Sequence, residues 1–220
     1  MNKELCCGCN ACAAVCSKAC IIMKEDLEGF LYPQKDIESC IECGLCENIC
    51  PMKNEKKTKE DTEPIVYACI NNKDEIRMKS SSGGIFFLLA EHILSKNGKI
   101  YGAVFDKEWS VCHIGISDIS DLIKMQGSKY LQSNKKSIFK QIKLDLDKKI
   151  KVLFSGTPCE VAGLRNYLGK DYENLYCVDV VCHGVPSPLV WQKYLVYIEK
   201  MVGKPLDRES TPSHRSKTDG

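Results

Sequence analysis

Eight cysteines in two identically spaced runs constrain this chain more than any other feature of its sequence. The first run contains Cys6, Cys9, Cys12 and Cys16, and the second contains Cys40, Cys43, Cys46 and Cys50. Each run has the spacing C-x₂-C-x₂-C-x₃-C, which is typical of chains that bind two iron–sulfur clusters and in which the fourth cysteine of each run ligates the other cluster. The predicted ligands are Cys6, Cys9, Cys12 and Cys50 for one [4Fe–4S] cluster and Cys40, Cys43, Cys46 and Cys16 for a second.

Two other uses of cysteine compete with this interpretation. Pairs of C-x₂-C also form structural zinc sites, but zinc takes four ligands and each run already places four cysteines within eleven residues. Disulfide bonds belong to oxidising compartments, whereas the N-terminal segment MNKELCCGCN has no apolar signal-peptide core. The density of thiols therefore favours two clusters over zinc ribbons or disulfides. Cys7 and Cys20 lie outside the repeated spacing and are not predicted to be ligands.

Size and charge narrow the class of protein further. A chain of 220 residues suits one medium domain and one small domain. Its 31 basic and 29 acidic side chains give a net charge of +2, which does not indicate nucleic-acid binding. No apolar stretch approaches the roughly eighteen residues of a membrane span, so none is expected. Fifteen cysteines without an export signal predict a cytoplasmic protein of a reducing, anaerobic cell.

The composition changes along the chain and suggests four segments. Residues 1–52 are predicted to form a small dicluster ferredoxin-type domain, in which metal ligation supplies much of the folding energy. A hairpin is expected between its two cysteine runs, with a turn at Glu28 and Gly29. Residues 53–64 are charged and predict a linker, and residues 203–220 predict a polar tail that is either disordered or truncated.

Between residues 65 and 202 the hydrophobic periodicity alternates between that of strands and that of helices. Strands are predicted at 65–70, 99–105, 111–116, 151–156 and 174–182. Helices are predicted at 82–96, 135–148, 160–168 and 189–201. This alternation favours an α/β or mixed α+β domain. The predicted fold class is therefore α+β, with the small cluster domain followed by a mixed α/β domain.

Three segments of the second domain have the composition of a cofactor pocket. KSSSGG (79–84) precedes a helix, where backbone N–H groups favour an anion, although serine and glycine are also ordinary N-cap residues. QGSKYLQS (126–133) offers a lysine to a phosphate and a tyrosine to a ring, or it is a solvated loop. FSGTPCEVAGL (154–164) places Cys159 at a helix N-terminus, where its pKa is expected to fall unless it is simply a buried thiol.

Cysteines beyond the two runs suggest a further cluster. Cys159 and Cys182 each follow a strand, and the carboxyl ends of adjacent parallel strands lie together, so the two thiols are expected to be neighbours. With Cys177, and with Cys112, Cys69 or no protein group as the fourth ligand, they are candidates for a third [4Fe–4S] cluster. Strand alternation counts against pairing Cys177 with Cys182 unless the strand ends between them.

Taken in order, these segments resemble the beta subunit of coenzyme F420 hydrogenase/dehydrogenase. The resemblance covers about residues 4–200 and includes the cysteine runs, the charged linker, KSSSGG, QGSKYLQS, GTPCEVAGL and VCHGVPSP. That family includes deazaflavin-dependent dehydrogenases and a chlorophyll-a reductase, and it binds FAD beside iron–sulfur clusters. The flavin-binding residues that the resemblance implies are Ser81, Ser82, Gly83, Gly84, Ser128, Lys129, Tyr130, Gly156, Thr157 and Pro158.

The resemblance also implies a function. It predicts an oxidoreductase subunit that transfers electrons between a hydride carrier or substrate, via FAD, and the clusters, with a redox protein or subunit and a small electron carrier as partners. No arrangement of residues identifies a catalytic acid, base or nucleophile. The family's C-terminal domain normally continues well past residue 200, and the chain here departs from that pattern. The alternative is therefore a ferredoxin-type electron-transfer module that docks a partner enzyme without catalysing a reaction itself.

Overall fold

The computed structural model describes residues 3–54 and 63–206. The helices are α1 (Ala11–Val15), α2 (Leu45–Asn48), α3 (Asp74–Met78), α4 (Ile85–Leu94), α5 (Ile138–Asp147), α6 (Pro158–Leu168) and α7 (Pro188–Val202), with 3₁₀ helices at Lys3–Leu5 and Ile119–Met125. The strands are β1 (Ile21–Glu25), β2 (Leu31–Lys35), β3 (Lys99–Phe105), β4 (Val111–Ile116), β5 (Ser133–Asn134), β6 (Val152–Gly156) and β7 (Leu175–Asp179).

A two-stranded hairpin separates the two cysteine runs, as the sequence predicts. β1 and β2 pair antiparallel, with Ile21 opposite Lys35 and Glu25 opposite Leu31. The carboxylate of Asp26 accepts hydrogen bonds from the backbone N–H groups of Glu28 and Phe30, each 2.9 Å long, and thereby closes the turn. Asx side chains favour such turns because they mimic a backbone acceptor.

The larger sheet has five strands in the order β5-β4-β3-β6-β7. β3 and β4 form an antiparallel hairpin, while β3 with β6, β6 with β7, and β4 with β5 are parallel. The sheet is therefore mixed, and the predicted α+β class is confirmed. Its central strands are buried on both faces, as expected for a sheet that is covered by helices on each side.

Two hydrophobic clusters lie on the two faces of this sheet. One consists of α4, the second 3₁₀ helix and side chains of β3 and β4, around Ile100 and Leu153. The other contains α5, α6 and side chains of β3 and β6, and it also includes Cys9, Ala11 and Ala14 from the first cysteine run. The first cysteine run therefore shares a hydrophobic core with the larger sheet.

Hydrogen bonds join the cysteine-rich segment to the rest of the chain at several points. The Asn10 amide donates to the Lys136 carbonyl (3.0 Å) and the Asn166 amide donates to the Ile49 carbonyl (3.1 Å). The Gln132 side chain both accepts from the Leu31 N–H (2.6 Å) and donates to the Leu31 carbonyl (3.1 Å). Through these two hydrogen bonds, the Gln132 side chain pairs with the backbone of β2 as a neighbouring strand would.

The predicted strand at 65–70 is wrong. Residues 65–70 have no regular secondary structure, and Ile65 and Val66 are largely exposed. A β-branched composition favours a strand only where a neighbouring strand completes the ladder. This segment instead runs past the loop that precedes α4. The Asn71 N–H donates to the Gly83 carbonyl of that loop (2.7 Å).

The other predicted elements are present, the strands at 99–105 and 111–116 with the predicted ends and the rest with adjusted ends. The predicted strand at 174–182 ends at Asp179, before Cys182, and the predicted helix at 160–168 begins two residues earlier, at Pro158. α3, the second 3₁₀ helix and the two-residue β5 were not predicted. Most of the predicted linker (55–62) and most of the predicted tail (207–220) lie outside the described residues. In the described part of the chain, no helix has the length and apolar character needed to cross a membrane.

Candidate functional site

Four thiols of the first predicted set line one cavity. The cavity is bounded by Cys6, Cys9, Cys12 and Cys50, together with Cys7, Met23, Pro33 and Met52. Left-handed backbone at Gly8 (φ 65°) and Asn10 (φ 72°) turns the chain between these cysteines, and α1 then presents Cys12. Cys50 comes from the second run, so cysteines of both runs line this cavity.

The second cavity is lined by the other predicted set. Its walls include the four predicted ligands and one additional thiol, namely Cys16, Cys40, Cys43 and Cys46 together with Cys20. Gly44 (φ 73°) begins α2 in left-handed backbone and turns the chain between Cys43 and Cys46. Cys43 is exposed, so this cavity opens to solvent. The sequence did not identify Cys20 as part of the site.

The donor set of each cavity fits an iron–sulfur cluster. Each cavity is lined by at least four cysteines, and the described residues around them include no histidine and only two carboxylates, Glu42 and Glu47, at the rim of the second. Thiolate sulfur is the ligand that such clusters take from proteins. Among residues 3–54 and 63–206, no group of three or more His, Cys, Asp or Glu side chains is arranged to hold a single metal ion.

The protonation of these thiols differs between the two cavities. Burial raises the pKa of Cys12 to about 12 and also raises the pKa of Cys6. In the second cavity the pKa of Cys40 is lowered, first by the backbone N–H of Glu42 and then by the Lys35 side chain. Because only thiolates ligate metal, cluster assembly in the first cavity must release protons.

Cys159 lies beside the first cavity, but its expected pKa fall is wrong. It occupies the first turn of α6, and its thiol is 3.1 Å from the Thr157 hydroxyl and close enough to the Cys7 thiol for the two groups to affect each other's pKa. The Cys7 thiol and burial raise the pKa of Cys159 above its ordinary value. A helix N-terminus lowers a thiol's pKa only where the thiolate is accessible to its field, and here a second thiol and burial outweigh it.

The third-cluster prediction stays a prediction. The structure places Cys159 against Cys7, whereas Cys182 is exposed and its Sγ atom accepts from the Gly184 N–H (3.4 Å). Cys177, on β7, is half-buried, and burial raises its pKa. Because β7 ends at Asp179, alternation along a strand no longer relates Cys177 to Cys182.

A buried ion pair lies beside the turn at residues 156–159, the GTPC turn. No sequence pattern predicted the lysine of this pair. Lys135 Nζ donates to Glu160 Oε1 (2.6 Å) and to the Ser133 carbonyl (2.6 Å). Both side chains are almost completely buried, at 1% and 9% exposure. His113 completes this cluster, with its ring nitrogens 2.7 Å from the Ser133 hydroxyl and 3.0 Å from the Ser155 carbonyl.

The same carboxylate fixes the start of α6. Glu160 Oε2 accepts from the Thr157 N–H (2.9 Å) in a capping box, with Pro158 at the first helical position. A Cβ atom at Gly156 would lie 2.7 Å from Glu160 Oε2. The glycine of the GTPC turn is therefore required to make room for the buried carboxylate. Gly156, Thr157 and Pro158 therefore have a structural role at the start of α6, in addition to the flavin-binding role that is predicted for them.

Two of the predicted flavin segments meet in the structure. Ser81 Oγ accepts from both the N–H (2.7 Å) and the hydroxyl (2.9 Å) of Ser128, and this contact joins KSSSGG to QGSKYLQS. Gly83 is tightly packed, since a Cβ atom there would lie 2.7 Å from the Cys69 carbonyl. Gly84, with φ 76°, is the N-cap of α4, and Ser82 is exposed.

Lys129 and Tyr130, which follow Ser128 in the second of the two joined segments, differ in exposure. Lys129 Nζ donates to the carbonyls of Gln126 (2.8 Å) and Gly127 (3.0 Å), and burial lowers its pKa to about 8. Tyr130 is 60% exposed. Paired serine hydroxyls, a half-buried ammonium and the N-terminus of α4 are groups that fit an anionic nucleotide.

Comparison with known proteins supports the resemblance in sequence. Residues 149–207 match the family model for the C terminus of the coenzyme F420 hydrogenase/dehydrogenase beta subunit. A coenzyme F420-dependent sulfite reductase of Methanocaldococcus jannaschii is 27% identical over 205 residues, which are 89% of this chain and 30% of that protein. An uncharacterised protein of the same archaeon is 28% identical over 204 residues, which are 79% of this chain and 56% of that protein.

Two further matches concern parts of the chain. An uncharacterised ferredoxin of Methanocaldococcus jannaschii is 37% identical over 51 residues, which are 23% of this chain and 65% of that protein. A chain of the xenon-derivatised F420-reducing [NiFe] hydrogenase complex from Methanosarcina barkeri covers 51% of this chain and 42% of its own length, with a TM-score of 0.41 and 21% identity. The chain thus spans 30% of the sulfite reductase and 56% of the uncharacterised relative. The resemblance indicated by the sequence motifs is confirmed by the family model and the sulfite reductase relative.

Proposed function

We propose that this chain, similar to the beta subunits of coenzyme F420 hydrogenases and dehydrogenases, is an iron–sulfur flavoprotein subunit of an oxidoreductase. It transfers electrons between a hydride carrier or substrate, via FAD, and two [4Fe–4S] clusters. One observation carries the proposal more than any other. The two sets of four cysteines that the spacing pairs across the runs each line a cavity of their own. Such interleaving is a property of dicluster ferredoxins.

The first cavity is the one that faces the larger sheet. α6 packs against it so closely that a Cβ atom at Gly163 would lie 2.9 Å from Cys9 Cβ and 3.0 Å from Cys9 Sγ. Cys159, in the first turn of the same helix, contacts Cys7. A cluster held by the first set is therefore adjacent to the GTPC turn. The second set, with its exposed Cys43, lies at the surface, where a redox partner would reach its cluster.

The residues of the joined serine loops and the GTPC turn supply the proposed flavin site. Ser81 and Ser128 hold two loops together at the start of α4, and Lys129 contributes a positive charge close to them. Bound FAD would supply the conversion between hydride transfer and single-electron transfer, while the protein supplies position and access. Burial leaves Lys129 with a pKa of about 8, so the lysine is largely charged at neutral pH and suits a phosphate group.

A second function, a docking module without catalysis, is favoured by the apolar surface at the end of the described chain. Val181 is 91% exposed, and Tyr197 and Met201 on α7 are also largely exposed. Exposed apolar surface of this kind is typical of protein–protein contacts. In this alternative the clusters carry electrons for a partner enzyme, and the serine loops bind no flavin.

Flavin binding distinguishes the two functions. The full chain is reconstituted anaerobically with iron and sulfide, incubated with excess FAD, desalted, and assayed for flavin and for cluster reduction by reduced deazaflavin. The proposed function predicts about one flavin per chain and bleaching of the cluster absorbance by the hydride donor. Protein that retains iron but no flavin, and whose clusters respond to dithionite alone, supports the docking module and contradicts the flavin site.

A further inference from the structure

We propose that Cys20 is an alternative ligand of the second cluster, able to replace Cys16 on iron. The inference rests on the proposed function, because it requires a cluster in the second cavity. It adds a ninth cysteine to the eight that the repeated spacing identifies. It also gives a chemical role to a thiol that the spacing leaves unassigned.

The geometry of the second cavity carries this proposal. Cys20 lines the same cavity as the four predicted ligands. Its Sγ atom lies 3.3 Å from Cys16 Sγ, which is about the distance between two sulfur atoms in contact. Cys16, Cys40 and Cys46 pack against the small buried cluster that contains Cys20. Cys20 therefore lies among the predicted ligands of one cluster.

The backbone holds Cys20 in this place. Ala19 adopts left-handed backbone (φ 52°), and its N–H donates to the Cys16 carbonyl (3.1 Å), which closes a tight turn from Cys16 to Cys20. The Cys20 carbonyl accepts from the Asp36 N–H (2.8 Å), so Cys20 is anchored to the end of the hairpin. The residue is only 7% exposed. Left-handed backbone at an alanine costs conformational free energy, and here it occurs in the turn that brings the Cys20 thiol to the Cys16 thiol.

With a cluster bound, Cys20 would ligate iron in place of Cys16, and the proton of the Cys20 thiol would pass to the released Cys16 sulfur. No electron is gained or lost in the exchange, so no oxidant or reductant is required. The 3.3 Å separation of the two sulfur atoms limits the displacement to about one atomic diameter.

The extra thiol of the first cavity is placed differently. Cys7 also lies beside predicted ligands, but it packs against the hydrophobic cluster that contains Val161 and Leu164 of α6. Replacing a ligand of the first cavity with Cys7 would break that contact with the larger part of the molecule. The proposal is therefore confined to Cys20 and to the second cavity.

The test measures cluster number in variants of the full chain. Wild type, Cys16→Ala, Cys16→Ala/Cys20→Ala and the matched control Cys16→Ala/Cys69→Ala are reconstituted anaerobically, and iron, sulfide and native mass are determined. Cys69 is an exposed thiol outside both cavities, so the control removes a cysteine that is not expected to ligate the second cluster. Cys16→Ala/Cys20→Val is added because an apolar side chain of similar size, without a donor atom for iron, fills the site if the double alanine variant fails to fold.

The expected counts are about eight irons for wild type, for Cys16→Ala and for the Cys69 control, and about four for both variants that lack Cys16 and Cys20. A Cys16→Ala protein that holds about four irons while wild type holds about eight overturns the inference and leaves the proposed function intact. Wild type with fewer than two clusters overturns the proposed function, and the inference with it. Equal counts in Cys16→Ala and in its Cys20 double variants also overturn the inference.

Discussion

Replacement of Lys135 by methionine removes a charge and leaves the length of the side chain unchanged. We expect this substitution to destabilise the protein more than any similar removal of a single charge in the described part of the chain. The Lys135–Glu160 pair is 2.6 Å long and nearly free of solvent, so the variant leaves the Glu160 carboxylate buried with the Thr157 N–H as its remaining donor. Removing one partner of a buried ion pair costs about 3–5 kcal/mol. For a chain of this size, each kcal/mol lowers Tm by about 2–4 °C, so we expect a fall of about 6–20 °C.

The assay is thermal unfolding of the anaerobically prepared holoprotein, followed by circular dichroism. The matched control is Lys143→Met, which removes an exposed pair with Asp147 on α5, both side chains being 43% exposed. Exposed pairs at this spacing are weak, so the control should move Tm by a small fraction of the Lys135→Met shift. The double variant Lys135→Met/Glu160→Gln should recover part of the loss, because no unpaired charge remains and glutamine still serves a capping box.

The pH dependence of this variant follows from the Glu160 carboxyl. Burial alone would raise the pKa of Glu160, but the charge of Lys135 and the hydrogen bonds that the carboxylate accepts hold that pKa below its ordinary value. In wild type this carboxylate stabilises the fold above its unfolded pKa, and the stabilisation is lost as pH falls through the folded pKa. Without Lys135 the folded pKa rises, so the gap between variant and wild type should narrow on acidification. Equal Tm values for Lys135→Met and Lys143→Met at neutral pH would refute this reasoning.

Three further predictions concern the two cavities and the serine loops. Gly163→Ala should speed loss of the first cluster's iron to a chelator by up to about 30-fold, since overpacking against Cys9 costs about 1–3 kcal/mol and the higher helix propensity of alanine offsets about 1 kcal/mol of it. A slower loss of iron than in wild type would show that α6 does not press on the first run. Ser128→Ala should weaken FAD binding by about 2–10-fold in a fluorescence titration, because the hydroxyl hydrogen bond to Ser81 is lost and the joined loops loosen, and an unaltered Kd would separate these loops from the flavin. Iron retention against a chelator should fall as pH is lowered from about 8 to about 6, because ligation must deprotonate thiols such as Cys12, and retention that is independent of pH contradicts thiolate ligation in the first cavity.

The grouping of the cysteines around two cavities was predictable because the spacing reflects local turn geometry, whereas their ligation of clusters stays a prediction. Cys6, Cys9 and Cys12 come together through turns within a few residues, and the hairpin that brings the second run back is closed by the local Asp26 turn. The strands at 99–105 and 111–116 were likewise predicted with the bounds that the structure has, because their periodicity and the short connection between them are local signals.

Features that depend on distant neighbours were not predictable in this way. The segment 65–70 has a strand-like composition but no adjacent strand among the described residues, and the two-residue β5 is too short to leave a pattern. The raised pKa of Cys159 follows from a contact with Cys7, which is far away along the chain. Lys135 pairs with Glu160 inside the core, whereas its position in the sequence resembles that of an ordinary surface lysine. Cys20 reaches the second cavity because left-handed backbone at Ala19 turns the chain, and alanine leaves no sequence signal for such a turn.

The measurement that tests the account most directly is the metal content of the anaerobically reconstituted full chain, with iron, acid-labile sulfide and zinc determined on the sample whose visible spectrum is recorded. Two interleaved clusters predict about eight irons and about eight sulfides per chain, broad absorbance near about 400 nm and negligible zinc. A colourless protein with about two zinc ions and no sulfide would contradict the central claim that the paired cysteine sets hold [4Fe–4S] clusters.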